Sequence, residues 1–347
     1  MTAPAAVTAT TAAAAMSTPT TDPNRTRRIT DMTTTTPTPA DTAPRPQTLR
    51  IGTAPDSWGV WFPDHPGQVP WQRFLDEVAA AGYTWIELGP YGYLPTDPAQ
   101  LREELDSRGL KLSGGTVFTG FHKTDDQWGR AWAQVEKIAA LTQELGGEHI
   151  VVIPDLWRSD ATSEVLEPRT LDAEGWTRLA AGHDRLGRAL EEEFGLHQQF
   201  HSHADSHVGT HSEVERFLEL TDEAYTNLCL DTGHFSYYGG DNLKLIADHP
   251  SRIGYLHLKQ VDPVKIFDVL KSDTPFAEAV ADGIMVEPNQ GIPPLDPIIE
   301  AIAALAPDTF AIVEQDMFGC SVDAPFPIAE RTLSTILTST PAAVTDR

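Results

Sequence analysis

The chain has little cysteine and no long apolar run, and each shortage excludes a class of protein. Its 347 residues include two cysteines, Cys229 and Cys320, too few for a disulfide framework or a cysteine-based metal motif. No uninterrupted apolar stretch approaches the roughly 20 residues of a membrane span. Two cysteines are ordinary for a reducing compartment, so we expect a cytoplasmic protein.

Positive charge is also scarce. Lys and Arg number 25 against 50 Asp and Glu, which gives a net charge of −25. Residues 1–50 contain a small surplus of Arg, so the remainder is more acidic than the whole. Such a surface repels phosphate backbones and anionic membranes, and we expect no nucleic-acid or membrane partner. A neutral polyol or keto sugar fits this charge better than a sugar phosphate.

The composition changes near residue 49. Residues 1–48 are mostly Thr, Ala and Pro with scattered Arg and show no hydrophobic periodicity. That composition predicts a disordered tail, and it lacks the compact apolar core of a secretory signal. The folded domain is expected over residues 49–340.

From Leu49 onward, one unit recurs eight times: a short apolar run, a polar or Gly-rich turn, and a segment of helical periodicity. Strands are predicted at 49–54, 84–88, 111–117, 149–154, in the His-rich run that includes 199–203, and at 228–231, 253–257 and 310–313. Helices are predicted near 71–81, 98–108, 128–145, 173–194, 212–221, 242–249, 295–305 and 326–338.

Eight such units predict a closed parallel (β/α)8 TIM barrel. No Gly-rich dinucleotide turn follows the first strand, which disfavours an open doubly wound sheet. The connection 262–294 is long and holds its own helical piece near 264–270. Long connections in compact folds are usually functional or mobile.

Polar side chains with metal-binding atoms stand at four predicted strand ends. His201 lies on the fifth strand, Asp231 ends the sixth, His257 ends the seventh and Glu314 follows the eighth. The carboxyl ends of barrel strands meet at one face, so these four predict a single metal site. Two imidazoles and two carboxylates suit Mn²⁺, Co²⁺, Zn²⁺ or Fe²⁺ better than a soft metal.

Further residues near these strand ends are candidates for substrate binding or catalysis. His234, three residues after Asp231, faces the metal's open side as a base or substrate ligand, or makes only a loop hydrogen bond. Lys259 shares the inward face with His257 and needs a carboxylate or a substrate oxygen as its partner. Glu87 on the second strand is a substrate contact or a partner for such a lysine.

Aromatic residues near the first two turns have two interpretations. Trp58, Tyr91 and Tyr93 form the floor of a sugar pocket, or they belong to the core. His197, His207 and His211 are interpreted as surface or loop residues.

Five motifs resemble the xylose isomerase-like TIM-barrel superfamily of sugar isomerases and epimerases, and within it the inosose (2-keto-myo-inositol) dehydratases. They are FHSH at 200–203, DTGH at 231–234 with Gly239-Gly240-Asp241 downstream, HLK at 257–259, Glu314-Gln315-Asp316, and AGYTWIELGPYGYLP at 81–95. The resemblance spans about residues 49–340.

The resemblance implies that Asp231, His257 and Glu314 bind a divalent metal, most often Mn²⁺ or Co²⁺, with Mg²⁺ among the alternatives. His201 occupies the place where the isomerases have a glutamate ligand, and Gln199 or His203 are alternatives for this fourth position. A histidine at this position does not favour the proton shuttle between two carboxylates that the isomerases use.

The function expected from the resemblance is dehydration of a cyclic keto-polyol through an enediolate. Glu314 or His234 takes the α-proton, and His201 or His203 helps hydroxide to leave as water. His203, His234, Lys259, Glu87 and Trp58 contact the substrate, and Lys259 also steadies the oxyanion. The alternatives are a keto-sugar isomerase or epimerase, or a barrel that has lost activity and serves as a binding subunit. A homo-oligomer is left open.

Overall fold

The structure is a computed structural model that describes residues 48–124 and 126–345. The predicted disordered tail lies outside the described residues, apart from Thr48. Among the helices in these two ranges, none has the length and apolar character needed to cross a bilayer.

Eight parallel strands form a closed barrel in which each strand pairs with the next and the eighth pairs with the first. At the closure, Ile51 lies opposite Ala311. The strands are β1 (Leu49–Thr53), β2 (Trp85–Glu87), β3 (Lys111–Thr119), β4 (His149–Pro154), β5 (His197–His201), β6 (Asn227–Asp231), β7 (Ile253–Leu258) and β8 (Phe310–Val313). The predicted TIM barrel is confirmed.

Helices with an apolar stripe toward the strands cover the outside of the barrel, and three more helices follow the carboxyl ends of β6 and β7. They are α1 (Trp71–Ala81), α2 (Pro98–Asp106), α3 (Gln127–Glu144), α4 (Ala173–Phe194), α5 (His211–Leu220), α6 (Thr232–Tyr237), α7 (Asn242–Asp248), α8 (Lys265–Ser272), α9 (Phe276–Ala281), α10 (Asp296–Leu305) and α11 (Pro325–Ser339). All eight predicted outer helices are present, with bounds shifted by at most two residues.

The barrel interior is packed below the site. A cluster of buried side chains from several strands fills it: Ala54, Val151, Cys229, Tyr255, Phe310 and Ile312. The Tyr255 hydroxyl donates to Oγ of Ser113 at 2.8 Å. At the amino-terminal end, the Arg50 guanidinium lies 3.6 Å from the Phe310 ring centroid. Ligand access is therefore from the carboxyl ends of the strands.

Three short features were absent from the sequence-based expectation. Helix α6 follows β6 directly, and the Asp231 side chain caps it by accepting the His234 backbone N–H at 2.7 Å. Residues Gln260–Val261 pair antiparallel with Met285–Val286. Residues Val344–Thr345 pair with β1, slightly beyond the predicted boundary at 340.

The long connection 262–294 forms a small substructure over the mouth of the barrel. It carries α8 and α9, and the two-residue ribbon closes its base. Phe276, Val280 and Ile284 are buried in it together with Tyr237 and Val261, in a cluster separate from the main core. Apolar contacts in this cluster therefore stabilise the folded conformation of the connection.

Candidate metal centre and active-site cavity

The four predicted metal ligands are buried at adjacent strand ends. Oδ2 of Asp231 lies 3.3 Å from Nε2 of His201 and 3.6 Å from Nδ1 of His257. Oε2 of Glu314 lies 2.9 Å from the same Nδ1. The parallel register places Asp231 directly beside His257. Strands β5 to β8 thus bring the predicted residues together.

Their spacing forms two overlapping triples. His201, Asp231 and His257 each offer one atom, and these atoms lie within 4.8 Å of one another. Glu314 belongs to a second triple, with Glu87 and His257. Ligand atoms that bond one cation at about 2.0–2.2 Å lie roughly 3.0–3.5 Å apart. The distances around Asp231 and His257 are close to this spacing.

Glu87 fixes the orientation of the His257 ring. Nε2 of His257 lies 2.7 Å from Oε1 of Glu87, and a carboxylate can only accept, so Nε2 carries the proton. Burial opposes a charge on His257, but Glu314 and Glu87 raise its pKa well above the ordinary value. Without a metal, Nδ1 is therefore protonated as well, 2.9 Å from Oε2 of Glu314, and a metal would take the place of this proton. Thr116 donates to the other Glu87 oxygen at 2.9 Å. Glu87 therefore partners His257, whereas the sequence interpretation named a lysine or the substrate.

Lys259 has the carboxylate partners that its burial requires. Its Nζ lies 2.9 Å from Oδ2 of Asp316, 3.0 Å from Oε2 of Glu314, 3.3 Å from Oδ2 of Asp231 and 3.5 Å from Oδ2 of Asp56. One ammonium group among four carboxyl groups leaves an excess of negative charge. A buried excess of this sign favours a bound cation or protons.

The pKa values divide the carboxyl groups into two kinds. Burial raises the pKa of Glu314, but the charges of His257 and Lys259 outweigh it and lower this pKa to about 2. Burial likewise opposes ionisation of Asp231, whose pKa is nevertheless held well below its usual value by the charge of Lys259. Burial dominates at Asp56, whose pKa is raised. Two charged oxygens therefore face the ligand centre.

Unpartnered buried atoms test whether a metal fits. Oδ2 of Asp231, Nδ1 of His257 and Nδ1 of His201 are buried and have no hydrogen-bond partner. Without an ion, the first two are held by charge, since Oδ2 of Asp231 lies 3.3 Å from Nζ of Lys259 and Nδ1 of His257 lies 2.9 Å from Oε2 of Glu314. The same donor atoms would bind a cation once His257 has lost its proton. The nitrogen and oxygen donors fit a divalent transition metal without selecting one.

His203 and His234 lie side by side with opposite proton positions. Their ring centroids are 3.8 Å apart. Nδ1 of His203 lies 2.7 Å from the Ala204 carbonyl, which can only accept, so the neutral ring has a free lone pair on Nε2. Nδ1 of His234 accepts the Ala204 N–H at 3.1 Å, so its neutral ring carries the proton on Nε2. At Nε2, His203 therefore offers a hydrogen-bond acceptor and His234 offers a hydrogen-bond donor.

Burial keeps both of these rings neutral. It lowers the pKa of His203 to about 3 and holds the pKa of His234 well below its ordinary value. Nε2 of His234 lies 3.6 Å from Oδ2 of Asp316 and has no hydrogen-bond partner. This donor is therefore available to a ligand.

These groups share one cavity of about 620 Å³, a size typical of small-molecule sites. Its polar lining includes His201, His203, His234, His257, Lys259, Glu87, Glu314, Asp316 and Asp56. Trp61, Phe62, Tyr91 and Phe276 supply apolar surface. The cavity thus joins the ligand centre to a partly aromatic wall.

Two predicted aromatic contacts are not in the cavity. Trp58 is 1% exposed, packs edge-on against Phe74 and donates to Glu77 at 2.8 Å. Tyr93 is also buried and donates to the Val69 carbonyl. Both have the core role that the sequence left as the alternative, and the predicted substrate contact of Trp58 is not supported.

The alternatives for the fourth ligand occupy different places. The Gln199 side chain bonds to Nδ1 of His149 at 3.0 Å and does not line the cavity. His203 lines the cavity, but its Nδ1 is used by Ala204. Of the three candidates on β5 and its extension, His201 alone lies 3.3 Å from Asp231.

Some cavity residues were missed from the sequence. Arg158 and Asp160 line the cavity from the loop after β4, and burial raises the pKa of Asp160 to about 7. Phe276 lies with its ring centroid 5.2 Å from that of His203. No motif marks these positions. His207, interpreted as a surface or loop residue, lies in a loop but is buried.

The sequence profile of the xylose isomerase-like TIM barrel matches residues 75–331. The chain belongs to this family. Among its relatives is a protein named inosose dehydratase from Lacticaseibacillus casei, 29% identical over 276 residues, which are 78% of this chain and 90% of that protein.

Solved structures show the family fold. The IolI protein with a bound zinc atom has a TM-score of 0.62 and 16% identity, and the match covers 84% of this chain and 99% of that one. A D-psicose 3-epimerase solved with D-fructose has a TM-score of 0.63 and 14% identity, covering 84% and 99%.

Proposed function

We propose that this protein is a divalent-metal-dependent lyase that removes water from a cyclic keto-polyol, with inosose as the reference substrate. The observation that carries the proposal is the shared cavity. The ligand group of His201, Asp231, His257 and Glu314 lines it or lies at its base, and two neutral histidines with opposite proton positions face the same space.

The comparisons favour the same chemistry. A relative that aligns over most of both chains is named inosose dehydratase. The IolI structure, which shares the fold, contains a zinc atom. The clustered donor atoms of His201, Asp231 and His257 support a metal in this chain. The choice among Mn²⁺, Co²⁺, Zn²⁺, Fe²⁺ and Mg²⁺ is left to experiment, with Mn²⁺ or Co²⁺ preferred.

His201, Asp231, His257 and Glu314 would hold a divalent cation, which would supply Lewis acidity beside the substrate ketone. The residues around it then handle the proton. His203 is the base that we assign, because its ring lines the cavity and donation from Nδ1 to the Ala204 carbonyl leaves Nε2 unprotonated. This assignment differs from the sequence hypothesis, which gave the proton to Glu314 or His234.

His234 is better suited to donate. Its Nε2–H is fixed by the Ala204 N–H on the opposite nitrogen. A neutral imidazole of this kind polarises a substrate oxygen through a hydrogen bond without losing its proton. Lys259 adds a positive charge near the oxygen on which negative charge develops.

The reaction balances without another reactant. His203 accepts the α-proton, the C–O bond to the neighbouring carbon breaks, and the electron pair leaves with the hydroxyl oxygen. The protonated His203 returns its proton to that oxygen, which departs as water. The remaining enol rearranges to a diketone, and the histidine is neutral again.

An epimerase or isomerase is the second candidate. Glu87 and Glu314 approach His257 from its two nitrogens, so the cavity also holds two carboxylates. The fold is shared with a D-psicose 3-epimerase. Such an enzyme returns the α-proton to carbon and releases no water.

The test uses the full chain stripped of metal by a chelator and resupplied with one divalent metal at a time. We expect inosose to lose water, detected by ultraviolet absorbance of the unsaturated product, only after metal is restored. His203→Gln should lower kcat about 10²–10⁴-fold while metal still binds. His211→Gln is the matched control, because His211 lies outside the cavity lining.

The experiment separates the alternatives. Deuterium uptake at the α-carbon with epimerisation and no water loss would replace the lyase with the second candidate. Failure to exchange α-protons of any keto-polyol would favour a binding protein without activity. We also propose a cytoplasmic location and a small-molecule partner, and the oligomeric state is left open. Free Cys229 and Cys320 are consistent with a reducing compartment.

A further inference from the structure

A second group of metal-binding side chains lies outside this cavity. His122 follows β3, Glu167 lies between β4 and α4, and His207 lies between β5 and α5. The three residues therefore come from consecutive loops at the carboxyl ends of the strands. None of them lines the cavity described above or contacts its ligand group.

The distances suit a common cation. Nε2 of His122 lies 3.1 Å from both carboxylate oxygens of Glu167, and Nε2 of His207 lies 3.7 Å from Oε1 of Glu167. One atom from each residue falls within 4.8 Å of the others. Zinc ligands at about 2.0–2.1 Å in tetrahedral arrangement lie roughly 3.4 Å apart. The observed pair distances lie on either side of this value.

The His207 ring points an unprotonated nitrogen at the carboxylate. Its Nδ1 lies 2.7 Å from the Arg169 carbonyl, which can only accept, so the neutral ring carries its proton there. Nε2 is then a lone pair, buried and without a hydrogen-bond partner. A lone pair facing an anion is repelled unless a cation or proton lies between them. Donation from the distal nitrogen to a carbonyl is also how metal-bound histidines are commonly oriented.

His122 is also buried, with 2% of its surface exposed. Without a metal, its Nε2 donates to Glu167, and its Nδ1 is buried without a hydrogen-bond partner. Metal binding at Nε2 therefore moves the proton of the neutral ring to Nδ1. The group thus offers two imidazole nitrogens and one carboxylate.

The neighbouring lysine does not occupy the place of the cation. Nζ of Lys123 lies 2.6 Å from Oδ2 of Asp155 and only 3.7 Å from Oε1 of Glu167. Its primary partner is therefore Asp155, and the Lys123 side chain is one-third exposed. The Glu167 charge remains available to a metal.

We propose that His122, Glu167 and His207 form a second divalent-metal site that takes a zinc-class ion with water as the fourth ligand. Two histidines and one carboxylate with an open position are a known zinc ligand set. Because the ligands come from three consecutive loops, the ion holds together the rim formed after β3, β4 and β5. This site is independent of the proposed lyase reaction.

The test counts metal equivalents in the full chain. Apo protein is loaded with Zn²⁺, freed of excess by gel filtration and measured by elemental analysis, and Co²⁺ loading is followed by visible absorbance. We expect two equivalents in the wild type and one in the His122→Gln/His207→Gln variant. Asp231→Asn removes the first site and should leave one metal equivalent bound. That equivalent should be lost when His207→Gln is added to the same variant.

Control variants keep the result interpretable. His211→Gln, a nearby histidine in the same segment, should retain two equivalents. If the double variant fails to fold by circular dichroism, Glu167→Gln replaces it, since this partly exposed side chain is exchanged at nearly constant volume. We expect Glu167→Gln to weaken the second equivalent at least tenfold.

Failure of this proposal is distinct from failure of the first site. Unchanged stoichiometry and Co²⁺ absorbance in both His122→Gln/His207→Gln and Glu167→Gln would overturn the second site. If one equivalent of bound metal remains in Asp231→Asn and is lost when His207→Gln is added, the second site is supported even if the protein has no lyase activity.

Discussion

Oε1 of Glu87 and Nε2 of His257 are 2.7 Å apart although 170 positions separate them in the chain. This contact sets which His257 nitrogen faces Asp231 and Glu314. A carboxylate behind a metal-bound histidine typically contributes 10–100-fold to metal affinity or activity.

Replacement of Glu87 therefore tests the metal centre without touching its ligands. Glu87→Ala should weaken metal binding about 10–100-fold, because the His257 ring loses its orienting acceptor. Glu87→Gln should weaken it less, since its amide oxygen still accepts from Nε2. Calorimetric titration of the apo protein with Mn²⁺ or Co²⁺ measures both. Equal affinities in all three proteins would refute the role assigned to Glu87.

Lys259 should matter more for the folded state than an ordinary lysine. Lys259→Met leaves four carboxyl groups without their ammonium partner and should lower the free energy of unfolding of the apo protein by about 3–5 kcal/mol. Urea denaturation measures the change. Adding Glu314→Gln removes one of the uncompensated charges, so the double variant should recover part of the loss.

The matched control for this experiment is Lys244→Met. Lys244 makes an exposed ion pair with Asp248 one helical turn away. Surface pairs of this kind contribute little, so we expect no measurable change in stability. A Lys259 variant as stable as this control would contradict the charge arrangement described here.

Substitutions at Trp58 and Trp61 should have different effects: the first should change stability and the second should change substrate binding. Trp61→Ala should raise the KM for inosose by up to about tenfold, because an aromatic contact contributes roughly 0.5–1.5 kcal/mol. Trp58→Phe should leave KM unchanged and lower the free energy of unfolding by about 1–3 kcal/mol, since the hydrogen bond to Glu77 is lost. Steady-state kinetics and thermal melts on both variants distinguish the roles, and the reverse pattern would reinstate Trp58 in the pocket.

His183 is a buried histidine that belongs to neither of the two proposed metal sites. Its ring lies edge-on to Phe121, Phe200 and Phe217, and Nδ1 pairs with Gln198 at 3.2 Å. Burial lowers the pKa of His183 to about 3. Between pH 6.5 and pH 3 the unfolded chain therefore binds a proton that the native state does not.

Stability should consequently fall as the pH decreases through this window. The contribution of neutral His183 to the free energy of unfolding is complete above pH 6.5 and is smaller by about 2 kcal/mol at pH 5. His183→Leu should reduce the loss of unfolding free energy between pH 7 and pH 5 by that amount, measured by urea denaturation. His197→Leu, at an exposed histidine, controls for removal of a histidine. Identical pH slopes in the wild type and His183→Leu would disprove the effect.

The strands and outer helices could be predicted because each had a local signal. Apolar runs end in polar residues, and Gly82 and Gly195 stop α1 and α4 in left-handed conformation. The two-residue strands at 260–261 and 285–286 had no such signal, because their pairing depends on contacts across the folded connection. Helix α6 was also too short to show a periodicity, and its start depends on the Asp231 cap.

The site was predictable to the extent that strand ends determine it. The positions of His201, Asp231, His257 and Glu314 after apolar runs predicted that these residues meet, and the structure brings them together. The error at Trp58 has a local cause: a short 3-10 turn over Pro55–Trp58 ends at Gly59, whose φ of 73° reverses the chain direction. Trp58 then faces α1 and Trp61 faces the cavity. Neither this reversal nor the Glu87 contact is visible in one sequence.

The long connection 262–294, between β7 and α10, contacts residues that follow several strands of the barrel. Its Phe276 N–H donates to Asp205 and its Asp273 pairs with Arg158, so it is held by the loops after β4 and β5. It also packs on Tyr237 in the helix after β6 and accepts a hydrogen bond from Gln315 after β8. This connection therefore ties together the ends of four strands, and a substitution in it reaches both the far wall of the cavity and the neighbours of Asp231 and Glu314.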